Sequence, residues 1–465
     1  MKNYLYSLIL CLLAQIVSAQ TYRFEIYQSH ADGIYQAGEP IVFKVRMLED
    51  GEAITDKGFR CILYHNRKEV AREDFFTADL VEYTTQLEAP GWCQLTVVGI
   101  SAEGKPLYHE VGGRRQQALG YSGAVVDPLE MKPGLAEPDD FDAFWAQEKA
   151  KLQAIPLLAK RTLVPDVHAS FQIEYVEVPV GSGFRPVNAT LKIPANAQAK
   201  SLPIFVHVHG AGVHLPKTNL AWQPPVPKES SVKGPVIFMN LNAHGLPNDQ
   251  PQEFYTALRE GALKDYPYQN IDDPDRYYMK GVILRLMRAL EFMKTLPEWD
   301  GQNVIVSGGS QGGAQALIAA GLDTDVSFIY ADVPAMCDFG GPVVGHAPGW
   351  PRPYEGHEDG TYRLTLASPS QEQTVGVEDI VHLGYFDAAN FACRIRAQAV
   401  LRTGGWDGVC PPTGVFAAYN NIPTENKSIQ FAPQGGHTRG NYKADQEQDL
   451  ALYIGDRKQP SISVE

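Results

Sequence analysis

Basic residues are in the minority in this chain of 465 residues, which contains 40 Lys and Arg and 54 Asp and Glu. The resulting net charge of −14 argues against a nucleic-acid partner, since phosphate binding requires a basic face. A hydrophobic fraction of 44% and a charged fraction of 20% are typical of globular proteins. At this length we expect about two or three domains.

A long hydrophobic run is also missing, because the apolar stretch at residues 5–13 is too short to span a bilayer comfortably. Lys2 precedes this stretch, and Val17-Ser18-Ala19 follows it as a small-residue cleavage site. This pattern predicts a signal peptide at residues 1–19 and a secreted or periplasmic protein with no membrane span. Cys11 follows a leucine where a lipoprotein would carry a small residue, so simple secretion is favoured over lipidation.

Cysteine is scarce, and none of the six cysteines forms a Cys-x-x-Cys pair. A structural zinc site is therefore not expected. Five cysteines remain after the predicted cleavage, and an odd count leaves at least one free thiol. Cys61 and Cys93 lie in the same strand-rich region, where either a disulfide or two buried thiols would fit the sequence.

Short alternating runs separated by turn residues occupy residues 20–125. The predicted strands at 22–27, 41–47, 61–64 and 94–100 indicate a small all-β sandwich of immunoglobulin-like type. Nothing catalytic stands out in it, so a packing role is favoured over carbohydrate binding. Residues 126–138 carry three prolines and a glycine, which predicts a linker. Asp139 or Asp140 would cap the helix that follows.

Strands alternate with helices in the remaining region, predicted as a catalytic domain at residues 139–458. Strands are predicted at 204–208, 236–239, 304–306, 326–330 and 399–401, and a helix at 277–296. This alternation predicts the α/β class, with a mostly parallel sheet covered by helices on both faces. The chain shows no internal repeat and no low-complexity tract.

A Gly308-x-Ser310-x-Gly312 motif lies between a β-branched strand and a helix of small residues. A serine on such a sharp turn needs glycine at both flanking positions, because side chains there would collide. The turn exposes Oγ to a base and places the next N–H at the positive end of a helix. The motif therefore predicts Ser310 as a nucleophile.

Two loops after Ser310 carry the partners that a catalytic serine needs. Asp407 follows one predicted strand and His437 follows the next, in the chain order Ser–Asp–His that this type of sheet uses. We therefore predict Asp407 as the orienting acid and His437 as the base. Asp387 is the alternative acid, although it precedes a helix-like stretch instead of following a strand.

Two backbone N–H groups are predicted to hold the oxyanion of the acyl-transfer intermediate. One belongs to Gln311, directly after the nucleophile, and the other to Ala211 in the Gly-rich loop after strand 204–208. His207 and His209 share one strand face and raise the alternative of a metal site. No acidic third ligand follows closely, so packed or hydrogen-bonded histidines are favoured and no metal or other cofactor is expected.

Six segments between residues 137 and 455 match the motifs of a known family, namely Pro138-Asp-Asp-Phe-Asp-Ala-Phe-Trp145, Gly308-Gly-Ser-Gln-Gly-Gly313, Val333-Pro-Ala-Met-Cys-Asp-Phe339, Tyr385-Phe-Asp-Ala-Ala-Asn-Phe-Ala392, Gly405-Trp-Asp-Gly-Val-Cys-Pro-Pro412 and Phe416-Ala-Ala-Tyr-Asn420. On these segments the chain resembles the acetyl xylan esterase / cephalosporin C deacetylase family of α/β-hydrolases, carbohydrate esterase family seven. The resemblance implies Ser310 as nucleophile, Asp407 as acid and His437 as base, the same residues that the local patterns predict.

Three positions depart from the family pattern. Asn242-Ala243-His244-Gly245 stands where the family often has R-G-Q, Thr438 follows the base where Glu is usual, and Ala211 replaces an aromatic residue. These changes concern the substrate pocket and the oligomer interface. Compact family members form ring-like oligomers, so the resemblance leaves a homo-oligomer open for this longer chain.

The resemblance implies a secreted serine esterase that removes short acyl groups, chiefly acetyl, from an acetylated oligo- or polysaccharide such as acetylated xylan. Two alternatives stay open at this point. One is cleavage of another bond on the same fold, such as a methyl or glucuronoyl ester or a peptide. The other is a non-catalytic polysaccharide-binding protein on a hydrolase frame, against which the complete Ser–Asp–His set argues.

Overall fold

A computed structural model of the chain describes residues 21–54, 56–165, 170–181, 183–213, 223, 225–356, 361–364 and 373–437. The predicted signal peptide, Thr438 and the end of the predicted catalytic domain lie outside these residues. No helix within them is long and apolar enough to cross a membrane.

Eleven strands lie in the first part of the described chain, and the alternation of buried and partly exposed side chains is clearest at residues 41–47. They are β1 (Tyr22–Gln28), β2 (Ile34–Tyr35), β3 (Ile41–Glu49), β4 (Glu52–Ala53), β5 (Gly58–His65), β6 (Lys68–Phe75), β7 (Val81–Thr85), β8 (Gly91–Ile100), β9 (Tyr108–Val111), β10 (Arg114–Gln117) and β11 (Leu119–Val126). One sheet joins β3 to β1, β4 and β7, and a second has the order β2-β11-β8-β5-β6. β9 and β10 form a separate hairpin.

Apolar side chains from both sheets, including Phe43, Phe59 and Leu95, form one buried cluster between them. Cys61 and Cys93 belong to this cluster, and both are free thiols. Cys61 stands opposite Val97, four residues along β8 from Cys93. That offset is roughly 14 Å at the usual rise per residue, whereas a disulfide needs Cα atoms within about 7 Å. The disulfide alternative is therefore wrong.

Nine strands of the described chain build the central sheet of the second part, in the order β12-β13-β14-β16-β15-β17-β18-β22-β23. Their bounds are β12 (Lys160–Leu163), β13 (Phe171–Val178), β14 (Val187–Pro194), β15 (Leu202–Val208), β16 (Ile237–Asn242), β17 (Trp299–Gly309), β18 (Phe328–Asp332), β22 (Gln398–Gly404) and β23 (Lys427–Ala432). Pairing is antiparallel up to β14–β16 and parallel from there on. A small sheet of β19 (Tyr354–Gly356), β20 (Tyr362–Leu364) and β21 (Gln373–Val375) lies between β18 and β22 in the chain.

Helices fill the connections between these strands. They are α1 (Phe141–Gln153), α2 (Gln252–Glu260), α3 (Tyr278–Met293), α4 (Gln311–Leu322), α5 (Val377–Ile380), α6 (Ala388–Ala392) and α7 (Pro412–Asn421). Val304 and Val306 of β17 join the large core under the helices, while Ile305 between them packs into a smaller cluster on the opposite face. Burial on both faces explains why this strand is apolar throughout instead of alternating.

The sequence-predicted fold class is confirmed, with an α/β-hydrolase sheet preceded by a strand-rich region. The helix predicted at 277–296 is α3. Asp140 does stand at the N-cap position of α1, but its side chain makes no capping hydrogen bond and instead accepts one from the Tyr385 hydroxyl. The segment predicted as a linker packs onto α7, because Asn420 donates to the carbonyl oxygens of Pro128 and Met131.

Candidate active site

Ser310 occupies the turn between β17 and α4 with φ 56° and ψ −122°. A positive φ at a residue with a side chain costs on the order of 1–3 kcal/mol and is kept only where the surroundings fix it. Gly308 and Gly312 allow this turn, because a Cβ on either would lie 2.4 Å or 2.2 Å from the Val208 carbonyl oxygen. The glycines of the motif are therefore required by close backbone approach.

His437 connects Ser310 to Asp407 through its two ring nitrogens. Nε2 lies 3.0 Å from the Ser310 Oγ, and Nδ1 lies 2.9 Å from Oδ2 of Asp407. Since a carboxylate only accepts hydrogen bonds, Nδ1 carries the proton and Nε2 is left to accept one from the serine. The structure thus brings together the three residues that the sequence singled out, in hydrogen-bond contact.

Asp407 follows β22 and is fully buried. Its Oδ1 accepts hydrogen bonds from the backbone N–H groups of Val409 and Cys410, at 2.9 Å and 2.8 Å. Its Oδ2 is the atom that faces His437. These partners compensate the burial of a charge and fix the direction of the carboxylate.

Asp387, the alternative acid, lies elsewhere. Its side chain begins α6 and accepts from the backbone N–H groups of Ala389, Asp338 and Phe339. Burial, together with the nearby charge of Asp338, raises the pKa of Asp387 to about 7. The Asp387 carboxylate therefore caps the N-terminus of α6, and it is Asp407 that contacts His437.

The loop at residues 209–212 lies directly against the serine. A Cβ built on Gly210 would be 3.6 Å from Ser310 Cβ. Gln311 is the first residue of α4, so its N–H has no partner within the helix and points from the positive end of the helix dipole. The predicted oxyanion donors Ala211 and Gln311 are thus on two segments that meet at Ser310.

Tyr266 links these two segments, and sequence reasoning missed it. Its hydroxyl accepts from the Gly212 N–H at 3.2 Å and donates to Gln311 Oε1 at 2.5 Å. Burial raises the pKa of Tyr266 well above its ordinary value, so the hydroxyl stays protonated. Tyr266 is 45 residues from Gln311 in sequence and sits in a short 3₁₀ turn, where no motif marks it.

His209 and His244, near the same loop, are held in hydrogen bonds. His209 contacts the Gly210 carbonyl oxygen through Nδ1 at 2.7 Å and accepts from the Ala243 N–H through Nε2 at 3.2 Å. His244 contacts the Gly212 carbonyl oxygen and the Tyr278 hydroxyl, and burial lowers its pKa well below the ordinary value. Within the described residues, neither His207 nor His209 belongs to a cluster of three potential metal ligands.

Cys410 lies beside Ser310, and sequence reasoning did not single it out for the site. One donor atom each from Asp407, Cys410 and His437 lie within 4.8 Å of one another, which raises the question of a metal. Burial and the Asp407 charge raise the pKa of the Cys410 thiol well above its usual range, and both nitrogens of His437 already have partners. A thiol that keeps its proton and an imidazole whose nitrogens both have partners argue against a metal ion at this position.

Both loops that carry Asp407 and His437 are contacted by the strand-rich N-terminal region. The indole N–H of Trp92 donates to the Gly405 carbonyl oxygen at 2.6 Å, and the Gly123 N–H donates to that of Pro433 at 2.8 Å. The Tyr121 ring stacks on Trp406, with centroids 4.3 Å apart. The N-terminal region therefore forms part of the surroundings of the site.

The sheet order and the strand–turn–helix segment at its centre define the chain as an α/β-hydrolase. A family model described as acetyl xylan esterase (AXE1) matches residues 128–452. That is more than half of the chain, and the chain belongs to this family. It is consequently a carboxylic ester hydrolase, as the sequence predicted.

Individual proteins that are similar to this chain also carry the name of acetyl esterases or acetyl xylan esterases. The chain is 28% identical over 351 residues to acetyl esterase Axe7A of Xylanibacter ruminicola, covering 74% of this chain and 70% of that protein. An acetyl xylan esterase from Paenibacillus sp. R4 is 29% identical, with a TM-score of 0.53 over 70% of this chain and 98% of its own. Acetyl xylan esterase 1 from Thermoanaerobacterium sp. JW/SL YS485 shares the fold at 22% identity, with a TM-score of 0.50 over 70% of this chain and 96% of its own.

Proposed function

We propose that this protein is a secreted serine esterase that hydrolyses acetyl esters on carbohydrate such as acetylated xylan. The observation that carries the proposal is the position of His437 between Ser310 and Asp407, at 3.0 Å and 2.9 Å. Family membership supports the ester as the bond and acetylated xylan as the substrate class. Secretion rests on the signal-peptide pattern at residues 1–19.

In the first half of the reaction, Ser310 Oγ attacks the ester carbonyl carbon while His437 Nε2 takes its proton. Asp407 holds the imidazole through Nδ1–H and stabilises the positive charge that develops. The N–H groups of Gln311 and Ala211 donate to the oxyanion of the tetrahedral intermediate. His437 then gives the proton to the sugar oxygen, the bond between that oxygen and the acyl carbon breaks, and the acetyl group stays on Ser310.

In the second half, a water molecule takes the place of the sugar hydroxyl. His437 Nε2 removes a proton from the water as it attacks the acyl carbon, and the same oxyanion donors hold the second intermediate. Its collapse breaks the bond to Ser310 Oγ, which recovers the proton from His437. Acetate leaves, and the enzyme returns to its starting state with no cofactor consumed.

Acetate release from acetylated xylan and from 4-nitrophenyl acetate tests this proposal, with wild type beside Ser310→Ala. We expect the variant to lose activity by about 10⁴-fold or more, as other triads do. Ser307→Ala, three residues earlier in β17, is the matched control and should keep the wild-type rate. Equal release by Ser310→Ala and wild type would refute Ser310 as the nucleophile, and no release from folded wild type on either substrate would refute the acetyl ester.

A further inference from the structure

A cavity of about 310 Å³ lies next to α3, among residues that have no part in the proposed reaction. Its polar lining consists of Arg185, Gln269, Tyr278 and Arg285, and the rest is apolar or glycine. Two of these polar residues carry guanidinium groups, which only donate hydrogen bonds and carry a positive charge. We call it the arginine cavity.

The charge of Arg285 is buried without a counter-ion. Only 2% of this residue is exposed, and its Nε donates to the Ala243 carbonyl oxygen at 2.8 Å. Neither Arg285 nor Arg185 forms an ion pair with a carboxylate in the part of the chain that the structure describes. Arg288, one turn further along α3, is equally buried but pairs with Glu291 at 2.8 Å.

An unpaired buried charge is costly, and two guanidinium groups beside each other add repulsion. Burial and the neighbouring Arg185 lower the pKa of Arg285 to about 10, so it stays charged at neutral pH. Burial also raises the pKa of the Tyr278 hydroxyl, so this group stays protonated. An anion in the cavity would relieve the repulsion and accept hydrogen bonds from both guanidinium groups.

We propose that the arginine cavity binds a small oxyanion, a carboxylate or a phosphate, between Arg185 and Arg285. Guanidinium groups suit both ligands, because their paired N–H donors match two oxygens of a carboxylate or phosphate. The ligand has two potential sources with this shared chemistry. One is a uronic acid unit of the polysaccharide substrate, and the other is a free inorganic anion.

Two hydrogen-bonded paths lead from the cavity to the loop beside Ser310. Tyr278 contacts His244 at 2.8 Å, and His244 contacts the Gly212 carbonyl oxygen at 3.1 Å. Arg285 holds the carbonyl oxygen of Ala243, whose N–H donates to His209. An anion that orders Arg285 and Tyr278 therefore also stabilises the loop at residues 209–212. We expect a bound anion to raise kcat by about fivefold, a typical coupling between two sites.

Isothermal titration calorimetry in Tris–chloride tests the binding independently of any esterase activity. Sodium phosphate and sodium glucuronate are titrated into wild type, Arg185→Gln and Arg276→Gln. We expect wild type to bind at least one of them, Arg185→Gln to bind at least about tenfold more weakly, and Arg276→Gln to match wild type. Arg276 is an exposed arginine just before α3, so its variant makes the same change in net charge away from the cavity.

Phosphate and glucuronate distinguish the two potential sources of the anion. Binding of glucuronate without phosphate assigns the cavity to an acidic sugar of the substrate, and binding of phosphate assigns it to a free anion. Arg185→Lys, which keeps the charge but loses the paired donors, should bind with intermediate affinity and guards against misfolding of Arg185→Gln. No heat from either ligand with wild type, or equal affinity in wild type and both Arg185 variants, would overturn the proposal.

Discussion

A single hydroxyl group, that of Tyr266, ties together the two backbone segments proposed to hold the oxyanion. Replacing Tyr266 by Phe removes both hydrogen bonds and leaves the ring in place. We expect kcat on 4-nitrophenyl acetate to fall by about tenfold, the equivalent of about 1.4 kcal/mol and of one hydrogen bond, with little change in KM. Steady-state kinetics on purified variant and wild type measures both constants.

Tyr255→Phe is the matched control for this change. Tyr255 is also buried, and its hydroxyl also accepts from a backbone N–H, that of Gln250. It donates to the Pro247 carbonyl oxygen and lies on α2. Its variant should lose a similar amount of stability and keep its kcat. Equal losses of kcat in the two variants would show that Tyr266 supports only the fold.

The buried carboxylate of Asp387 makes the stability depend on pH. Its pKa is raised to about 7 in the folded state, whereas an unfolded Asp titrates near 4. Between these values the unfolded state binds fewer protons than the folded state, so the contribution of Asp387 to stability is lost as pH rises from about 4 to 7. Part of the cause is the negative charge of Asp338.

Asp338→Asn isolates this contribution, because Asn keeps an acceptor for the Gly134 N–H while it removes the charge. We expect the difference in Tm, variant minus wild type, to increase from pH 4.5 to pH 7. Thermal unfolding followed by circular dichroism across this range provides the measurement. A difference in Tm that stays constant with pH would contradict the assigned cause.

Local sequence rules predict some residues of the site and fail to predict others. Ser310 could be predicted because Gly308 and Gly312 must accompany a serine on such a turn, and His437 because it follows the last strand. The positions of Tyr266 and Cys410 at the site could not be predicted, because they depend on which distant segments meet at Ser310. Pairing of Cys61 and Cys93 depended on strand register, which the alternation of residues does not determine.

At the scale of elements, β8 and β11 of the N-terminal region hold the loop that carries Asp407. Trp92 of β8 donates to the Gly405 carbonyl oxygen, two residues before Asp407. In Trp92→Phe an aromatic ring remains, but this hydrogen bond is lost and the smaller ring leaves part of the space empty. We expect kcat to fall by about fivefold to tenfold with KM nearly unchanged, because Asp407 and His437 are then less well oriented for their proposed roles.

Phe43→Leu provides the comparison for Trp92→Phe. Phe43 is fully buried in the core between the two N-terminal sheets, so its variant weakens that region without touching the Gly405 loop. Kinetics per mole of folded enzyme should distinguish the two variants. If kcat falls equally in both, general destabilisation and not loop orientation explains the effect.

The helices and strands could be predicted from the sequence more completely than their contacts. The periodicity of α3 and the apolar run of β17 are local properties. The packing of Trp92, Val125 and Phe416 into one buried cluster joins segments about 300 residues apart, and no periodic pattern encodes it.

At the scale of the whole molecule, that shared cluster predicts that the N-terminal region and the α/β-hydrolase region unfold together. Differential scanning calorimetry of wild type should show one cooperative transition. Gly123→Ala should split or broaden it, because a Cβ on Gly123 would lie 1.6 Å from the Gly405 carbonyl oxygen. Two separate transitions already in wild type would contradict this prediction.

Gly112→Ala is the control for that experiment. Gly112 lies in the turn between β9 and β10, and its φ of 57° makes Ala slightly strained there, but a Cβ would meet nothing within 4 Å. This variant should lower Tm a little and leave a single transition. The comparison separates a disrupted contact between the two regions from backbone strain alone.

The 313 residues that separate Trp92 from Gly405 also determine an order of events during synthesis. Residues of β8 and β11 are therefore synthesised long before the loop that they contact. Ser310 emerges next, and His437 only after a further 127 residues. The three residues of the proposed triad can therefore meet only once the chain has been synthesised through His437.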